Sequence, residues 1–307
     1  MEQVLTAAHY LVIAAAAPFF SGLIKKVKNL VRLRRGAPLL QPYYNLLKLL
    51  SKDGEVVSEH ASWLFTAAPY VVFSSSAAAL MLVPLFGRAP FGAGIGDMAA
   101  LLFILALGRF FTALAGMDAG SAFGGMGSSR EMFISSLAEP AAMVSILVLA
   151  LKAGSTSSSA AAYAGAQGAS TLTAALALFI VALAETSRIP VDNQETHLEL
   201  TMVHEAMVLE YSGRSLALME YSSHLRQMVW LSLIAGAVFP LPCVPGCGVA
   251  AASAAHVFFA VKLAALALLT AFTEVSMAKI RLFRVGDLML FALAAALTSA
   301  ALAAGGF

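Results

Sequence analysis

MFISSLAEPAAMVSILVLALK, residues Met132–Lys152, is an apolar run whose only ionisable residue before its last position is Glu139. As a helix, about 20 such residues cross the hydrocarbon of a bilayer. Composition decides between a bilayer span and a buried soluble helix: the 307 residues are 60% hydrophobic and 12% charged, with a mean hydropathy of +0.84. Soluble domains carry about 25% charged residues. The chain is therefore expected to be an all-α integral membrane protein forming a single membrane domain over residues 1–307.

Working outward, similar runs lie at about 4–24, 63–86, 97–115, 170–188, 227–249, 253–278 and 286–305, giving about eight transmembrane helices with two amphipathic or acidic loops. No stretch alternates apolar and polar residues as a barrel strand would. Lys25, Lys26 and Lys28 follow the first run rather than precede it, so it reads as a retained span and not a signal peptide. The loops at about 25–62, 116–131, 189–226 and 279–285 hold fifteen of the 19 Lys and Arg residues. The positive-inside rule makes these odd-numbered loops cytoplasmic and puts both termini outside.

The first loop contains a basic amphipathic run, Lys25–Arg35, broken by Gly36 and Pro38, then apolar residues at helical spacing in LLQPYYNLLKLL, Leu39–Leu50. Two short helices at the membrane surface are expected. Charge anchoring to anionic lipid explains the basic run but not the tyrosine pair or the proline. The next odd loop has five glycines between Gly116 and Gly127, followed by Ser128 and Ser129 as candidate caps of the next helix. Turn chemistry and close approach of another backbone both fit. The phosphate-loop pattern is absent.

Glu139 sits about a third of the way into its run and precedes Pro140. An intramembrane carboxylate must be protonated, paired or hydrated, so it either handles protons or is satisfied by a neighbouring helix. Glu185, three residues before Arg188, fits a terminal ion pair or a relay equally well. Arg109, His256, Lys262 and Glu274 are further ionisable residues within apolar runs, which suggests a polar file across the membrane.

The stretch AETSRIPVDNQETHLELTMVHEAMVLEYSGRSLALMEY, Ala184–Tyr221, holds seven of the 17 acidic residues. Pro190 suits a helix first turn, after which Asp192, Glu195 and Glu199 would share one helical face. Such a row needs protonation, cations or water. His197 and His204 lack a zinc-site spacing. Cys243 and Cys247 are too few for a disulfide framework and fit a local disulfide or free thiols. No nucleophile with a base beside it and no cofactor fingerprint appears, and nothing points to nucleic acid.

These segments resemble a known family. AETSRIPVD from Ala184, Glu195-x-x-x-Glu199-Leu200, Glu210-Tyr-Ser-Gly213 and Met219-Glu-Tyr221 are similar to the long cytoplasmic loop of complex I subunit 1, and Arg35–Pro42 with Leu47–Lys52 to its first loop. LAGMDAGSAFGGMGSSRE (Leu114–Glu131), Glu139-Pro140 and FTEVSMAKIR (Phe272–Arg281) look more like one branch, the membrane subunit of group 4 [NiFe] hydrogenases (formate hydrogenlyase subunit 4, hydrogenase-4 component C, energy-converting hydrogenase B).

The resemblance implies a subunit that binds no cofactor of its own. It would dock a cytoplasmic arm, the hydrogenase large subunit with its [NiFe] centre and the small subunit with iron–sulfur clusters, and link it to antiporter-like membrane subunits in the cell's inner membrane. It assigns Glu139, Glu185, Glu195, Glu199, Glu210 and Glu220 to a proton path, and Arg34, Arg35, Gln41, Lys48, Arg130, Arg188, Pro190 and Asp192 to the redox-arm interface. His197 stands where the quinone branch has a Glu, the stretch between Leu200 and Glu210 is about three residues longer, and Gly36-Ala37-Pro38 replaces a Gly-Pro pair. The first two departures alter the cavity for a quinone head group. The alternatives are the quinone-site subunit of a complex I-like oxidoreductase and a stand-alone transporter, though no internal repeat of the transporter kind is found.

Overall fold

A computed structural model describes residues 2–52, 61–83, 96–158, 160, 168–193, 202–238 and 249–305, with side chains placed from Tyr10 and, in the last segment, from Val257. Cys243, Cys247, Glu195, His197 and Glu199 lie outside the described residues, as does the side chain of His256. The described residues form ten named helices: α1 Glu2–Val31, α2 Gln41–Leu50, α3 Trp63–Leu82, α4 Met98–Asp118, α5 Ala122–Ala153, α6 Ala169–Glu185, α7 His204–Val208, α8 Gly213–Val238, α9 Val249–Ser276 and α10 Leu282–Ala304.

Each expected span overlaps one helix, with residues 84–86 and 239–248 of two of them outside the described residues, and the all-α membrane architecture holds. Six of these helices are long and apolar enough to cross a membrane on their own composition. The other two fall short of the expected eight for identifiable reasons. Helix α6 is apolar but only 17 residues long, and α8 carries Arg214, Glu220, His224 and Arg226 in its first half. Both are central. Residues Ala177–Glu185 of α6 and Leu225–Ala235 of α8 are buried on every side of their helices. Polar residues are therefore sheltered by protein, where a lipid-facing helix could not carry them.

Around this pair, α8 packs on α3, α1, α2, α6 and α9, while α6 packs on α5, α8 and α10. Helix α4 lies between α3 and α5. The outer faces of α4, α5, α9 and α10 present Phe103, Phe110, Met132, Met143, Val261, Phe272 and Phe291, the apolar surface that a bilayer requires.

Two loop expectations need correction. The glycine-rich segment 116–131 is mostly helical: α4 runs to Asp118, and α5 starts at Ala122, ten residues before the apolar run. Ser121, not Ser128 or Ser129, caps α5, its Oγ accepting the Gly124 N–H at 3.1 Å. Ser128 is buried and donates to Ala113 O at 2.8 Å. Both readings of the glycines hold at different positions: Gly120, at φ +68°, turns the chain between α4 and α5, and Gly127 allows close approach. A Cβ on Gly127 would lie 2.8 Å from Val203 O and 3.0 Å from the Ala206 Cβ, so α7 of the same chain occupies that groove. The basic run Lys25–Val31 is the last part of α1 rather than a separate helix, which leaves α2 as the one amphipathic helix among the described residues of that loop. Tyr43 and Tyr221 fasten α2 and α8 to α1, donating to Ala15 O at 2.6 Å and Ala14 O at 3.0 Å.

Candidate functional site

The C-terminal end of α6 is where buried charge converges. Glu185 occupies the last turn of α6, and Arg109 the middle of α4. Arg109 uses both terminal nitrogens as a fork: Nη1 donates to Glu185 Oε1, and Nη2 to Glu139 Oε1 at 2.6 Å. Arg109 and Glu185 are buried, whereas the Glu139 side chain is 46% exposed. A guanidinium can hold two carboxylates in this way because its donors are fixed in one plane. Glu185 pairs with Arg109 and not with Arg188, so the expectation of a local terminal pair is replaced by a bridge between α6, α4 and α5.

Beyond this bridge, Glu131 of α5 and Arg226 of α8 are both buried, and Glu131 feels the charges of Arg109, Arg226, Glu185 and Asp192. Arg226 lies 3.5 Å from His204 Nε2. Burial, aided by Arg226 and opposed by Asp192, pushes His204 down to about 3, so it is a neutral acceptor for the guanidinium.

Arg188 faces away from Glu185. Its Nη1 donates to Glu274 Oε1 at 2.9 Å and its Nη2 to Gln227 Oε1 at 2.8 Å, while Lys28 Nζ meets Glu274 Oε2 at 3.0 Å. The same Gln227 oxygen accepts from Ser21 Oγ at 2.7 Å, and Ser21 Oγ is 2.9 Å from His224 Nδ1. This second cluster binds α1, α6, α8 and α9 together. A turn follows at residues 189–191, so Pro190 does not open a helix and Asp192 is not on a helical acidic face. Asp192 instead accepts from Lys279 Nζ at 2.7 Å and from the Val203 and His204 N–H groups. Ile280 N–H donates to Pro190 O at 2.9 Å, tying the turn to the link between α9 and α10.

The remaining candidates sit apart. Glu210 is exposed between α7 and α8, outside the cluster. Glu220 is half-buried on α8 and interacts electrostatically with Glu205. Glu205 is pushed up to about 7 by burial, then by Glu220 and Asp192, with Lys25 opposing. Arg34, Arg35 and Lys48 are exposed, Gln41 donates to Asn45 Oδ1 at 3.0 Å, and Arg130 donates to Met202 O at 2.9 Å. Arg188, Pro190 and Asp192 are buried within this chain, where they organise the turn.

Sequence reasoning misses Glu131, Arg226, Gln227 and Lys28. In sequence, Glu131 reads as part of a loop, and Arg226 and Lys28 as topological charges. One signal is present: Glu131, Ser135, Ala138 and Ala142 follow at i, i+4, i+7 and i+11, a face of small or polar residues that a lipid-facing helix would not need.

Comparison with known proteins adds an independent line. A family model described as NADH dehydrogenase matches residues 3–304. Hydrogenase-4 component C of Escherichia coli (strain K12) is 38% identical over 244 residues, 75% of this chain and 76% of that one. Formate hydrogenlyase subunit 4 of the same organism is 32% identical over 280 residues, 89% of each chain. NADH-quinone oxidoreductase subunit 8 of Rhodothermus marinus is 27% identical over 242 residues, 72% of this chain and 68% of its own. A chain in the structure of the membrane-bound sulfane sulfur reductase (MBS), an archaeal respiratory membrane complex, superposes with a TM-score of 0.86 at 18% identity, covering 99% of this chain and 100% of that one. At that identity the likeness shows the fold alone.

Proposed function

We propose, for a chain that belongs to the NADH dehydrogenase family and is thereby a membrane-arm subunit of a respiratory-type complex, that it serves a group 4 [NiFe] hydrogenase. In this reading it anchors a cytoplasmic redox arm and links events there to ion movement through antiporter-like membrane subunits. The [NiFe] centre and iron–sulfur clusters belong to the arm's large and small subunits, and this chain contributes charge and protonatable groups. The odd-numbered loops face the cytoplasm and both termini lie outside.

The observation that carries the reading is the Arg109 fork. One carboxylate of the pair, Glu185, adjoins the turn that the family resemblance assigns to the arm, and the other, Glu139, opens between exposed apolar residues of α4 and α5. A half-exposed carboxylate facing lipid is costly, which favours a neighbouring membrane subunit at that face. Arg109 keeps its proton throughout. The carboxylates are the groups that can take up and release one, and displacement of the guanidinium between them changes which of the two is ionised. Glu220, Glu205 and the acidic residues 195 and 199 would supply the cytoplasmic part of the path.

The hydrogenase branch is preferred because similarity to formate hydrogenlyase subunit 4 spans 89% of the chain. A quinone-site role in a complex I-like oxidoreductase is the second reading, favoured by the similarity to an NADH-quinone oxidoreductase subunit. Purification of the intact complex with metal analysis separates them. Nickel together with hydrogen evolution or uptake is expected, and a nickel-free complex that reduces quinone would overturn the hydrogenase reading.

A further inference from the structure

Trp230 lies one turn beyond Arg226 on α8 and is 2% exposed, yet its indole Nε1 has no hydrogen-bond partner among the described residues. A buried N–H left without an acceptor is costly, so it calls for a partner such as an ordered water. Trp230 also lines two separate cavities. One, of about 30 Å³, is bounded by Arg109, Glu139 and Glu185. The other, of about 10 Å³, is bounded by Thr186, Arg188, Gln227 and Thr270. Arg188, on the wall of the second cavity, likewise has an Nε without a partner among the described residues. A water needs roughly 10–15 Å³ and two to four polar partners, so the first cavity suits about two waters and the second lies at the limit for one.

Trp230 thus stands between the Arg109–Glu139–Glu185 bridge and the Arg188–Gln227 contact. We propose that Trp230 is a positioning residue of the proton path, its indole N–H holding a water in the cavity that it shares with Glu185 and Glu139. The inference rests on the proton-path reading above. The indole does not ionise. A proton leaves Glu185 or Glu139, whichever is the carboxylic acid. The ordered water passes it on, and the opposite carboxylate takes it up. Arg109 and Trp230 retain their own protons and fix the water's orientation.

The test uses the intact complex in sealed vesicles, with protons moved per hydrogen turned over and the solvent deuterium isotope effect as readouts. Trp230→Phe keeps the aromatic bulk and removes the N–H. A several-fold fall in the proton ratio with an altered isotope effect is expected, with partial recovery in Trp230→His. A Phe variant that matches the wild type in both readouts overturns the proposal. Glu139→Gln, measured alongside, separates the two levels: loss in Glu139→Gln but not in Trp230→Phe removes the Trp230 water and leaves the path, whereas no loss in either removes the path. Should the Phe variant fail to assemble, the wild-type complex at a resolution that shows water decides. A water within hydrogen-bond distance of Nε1 is expected, and an Nε1 facing only apolar atoms contradicts it.

Discussion

Arg188 Nη1 donates to Glu274 Oε1 at 2.9 Å across a separation of 86 residues, although Glu185 stands one helical turn away. Lys28 holds the other oxygen of the same carboxylate at 3.0 Å. All three side chains are buried, so the last turn of α6 is tied to α1 and α9 by a triad with one more positive than negative charge. The Gln227 oxygen takes up part of the excess by accepting from Arg188.

Removing the carboxylate would leave two buried cations facing each other. Breaking a buried pair on one side typically costs about 3–5 kcal/mol. Glu274→Gln is therefore expected to lower the thermal stability of the detergent-solubilised complex by several degrees or to prevent assembly. An unchanged melting profile would show that the triad contributes little.

Gly127 and Gly125 give a paired test of the groove that receives α7. Gly127→Ala would push against Val203 O and Ala206, an overpacking change of about 1–3 kcal/mol, while nothing lies within 4 Å of a Cβ on Gly125. Hydrogen exchange over residues 202–208 is expected to rise in Gly127→Ala only. Gly125→Ala should be neutral or stabilising by about 0.5–1 kcal/mol, from helix propensity. Equal exchange in both variants would mean that α7 does not depend on the groove.

Glu205 supplies a pH signature. Its folded-state value of about 7 lies above the ordinary 4.5, so between these values the folded chain binds more protons than the unfolded one. Stability from this group then falls as pH rises from 4.5 to 7 and is level above that window. Glu205→Gln should flatten that slope in the melting temperature of the complex. Parallel slopes in the two proteins would assign the titration elsewhere.

How much of this is legible in the sequence depends on what each residue type reports. Runs of about 20 apolar residues locate every long helix, because a bilayer span is fixed by length and hydropathy. Glu139, Glu185, Arg109 and Glu274 stand out for the same reason, as ionisable residues in apolar surroundings. Their partners are not legible. The choice of Arg109 over Arg188 for Glu185 depends on how α4 crosses α6, and nothing local to Glu185 encodes that crossing. Glycine at 116–127 signals either a turn or a close contact, and only the structure shows the turn at Gly120 and the contact with α7 at Gly127. Arg226 and Lys28 count as anchors in sequence because a basic residue at a span's edge looks the same whether it meets lipid or a buried carboxylate.

The most direct test of the account is the proton yield of Glu139→Gln in the intact complex, reconstituted in sealed vesicles and measured as protons moved per hydrogen produced. Glutamine keeps the shape and can still accept from Arg109 Nη2, but cannot carry a proton through the cycle. The expected result is an assembled complex whose proton yield falls by about tenfold or more, in line with the loss of one relay group. A wild-type proton yield in Glu139→Gln would contradict the account and make the Arg109–Glu139 pair structural.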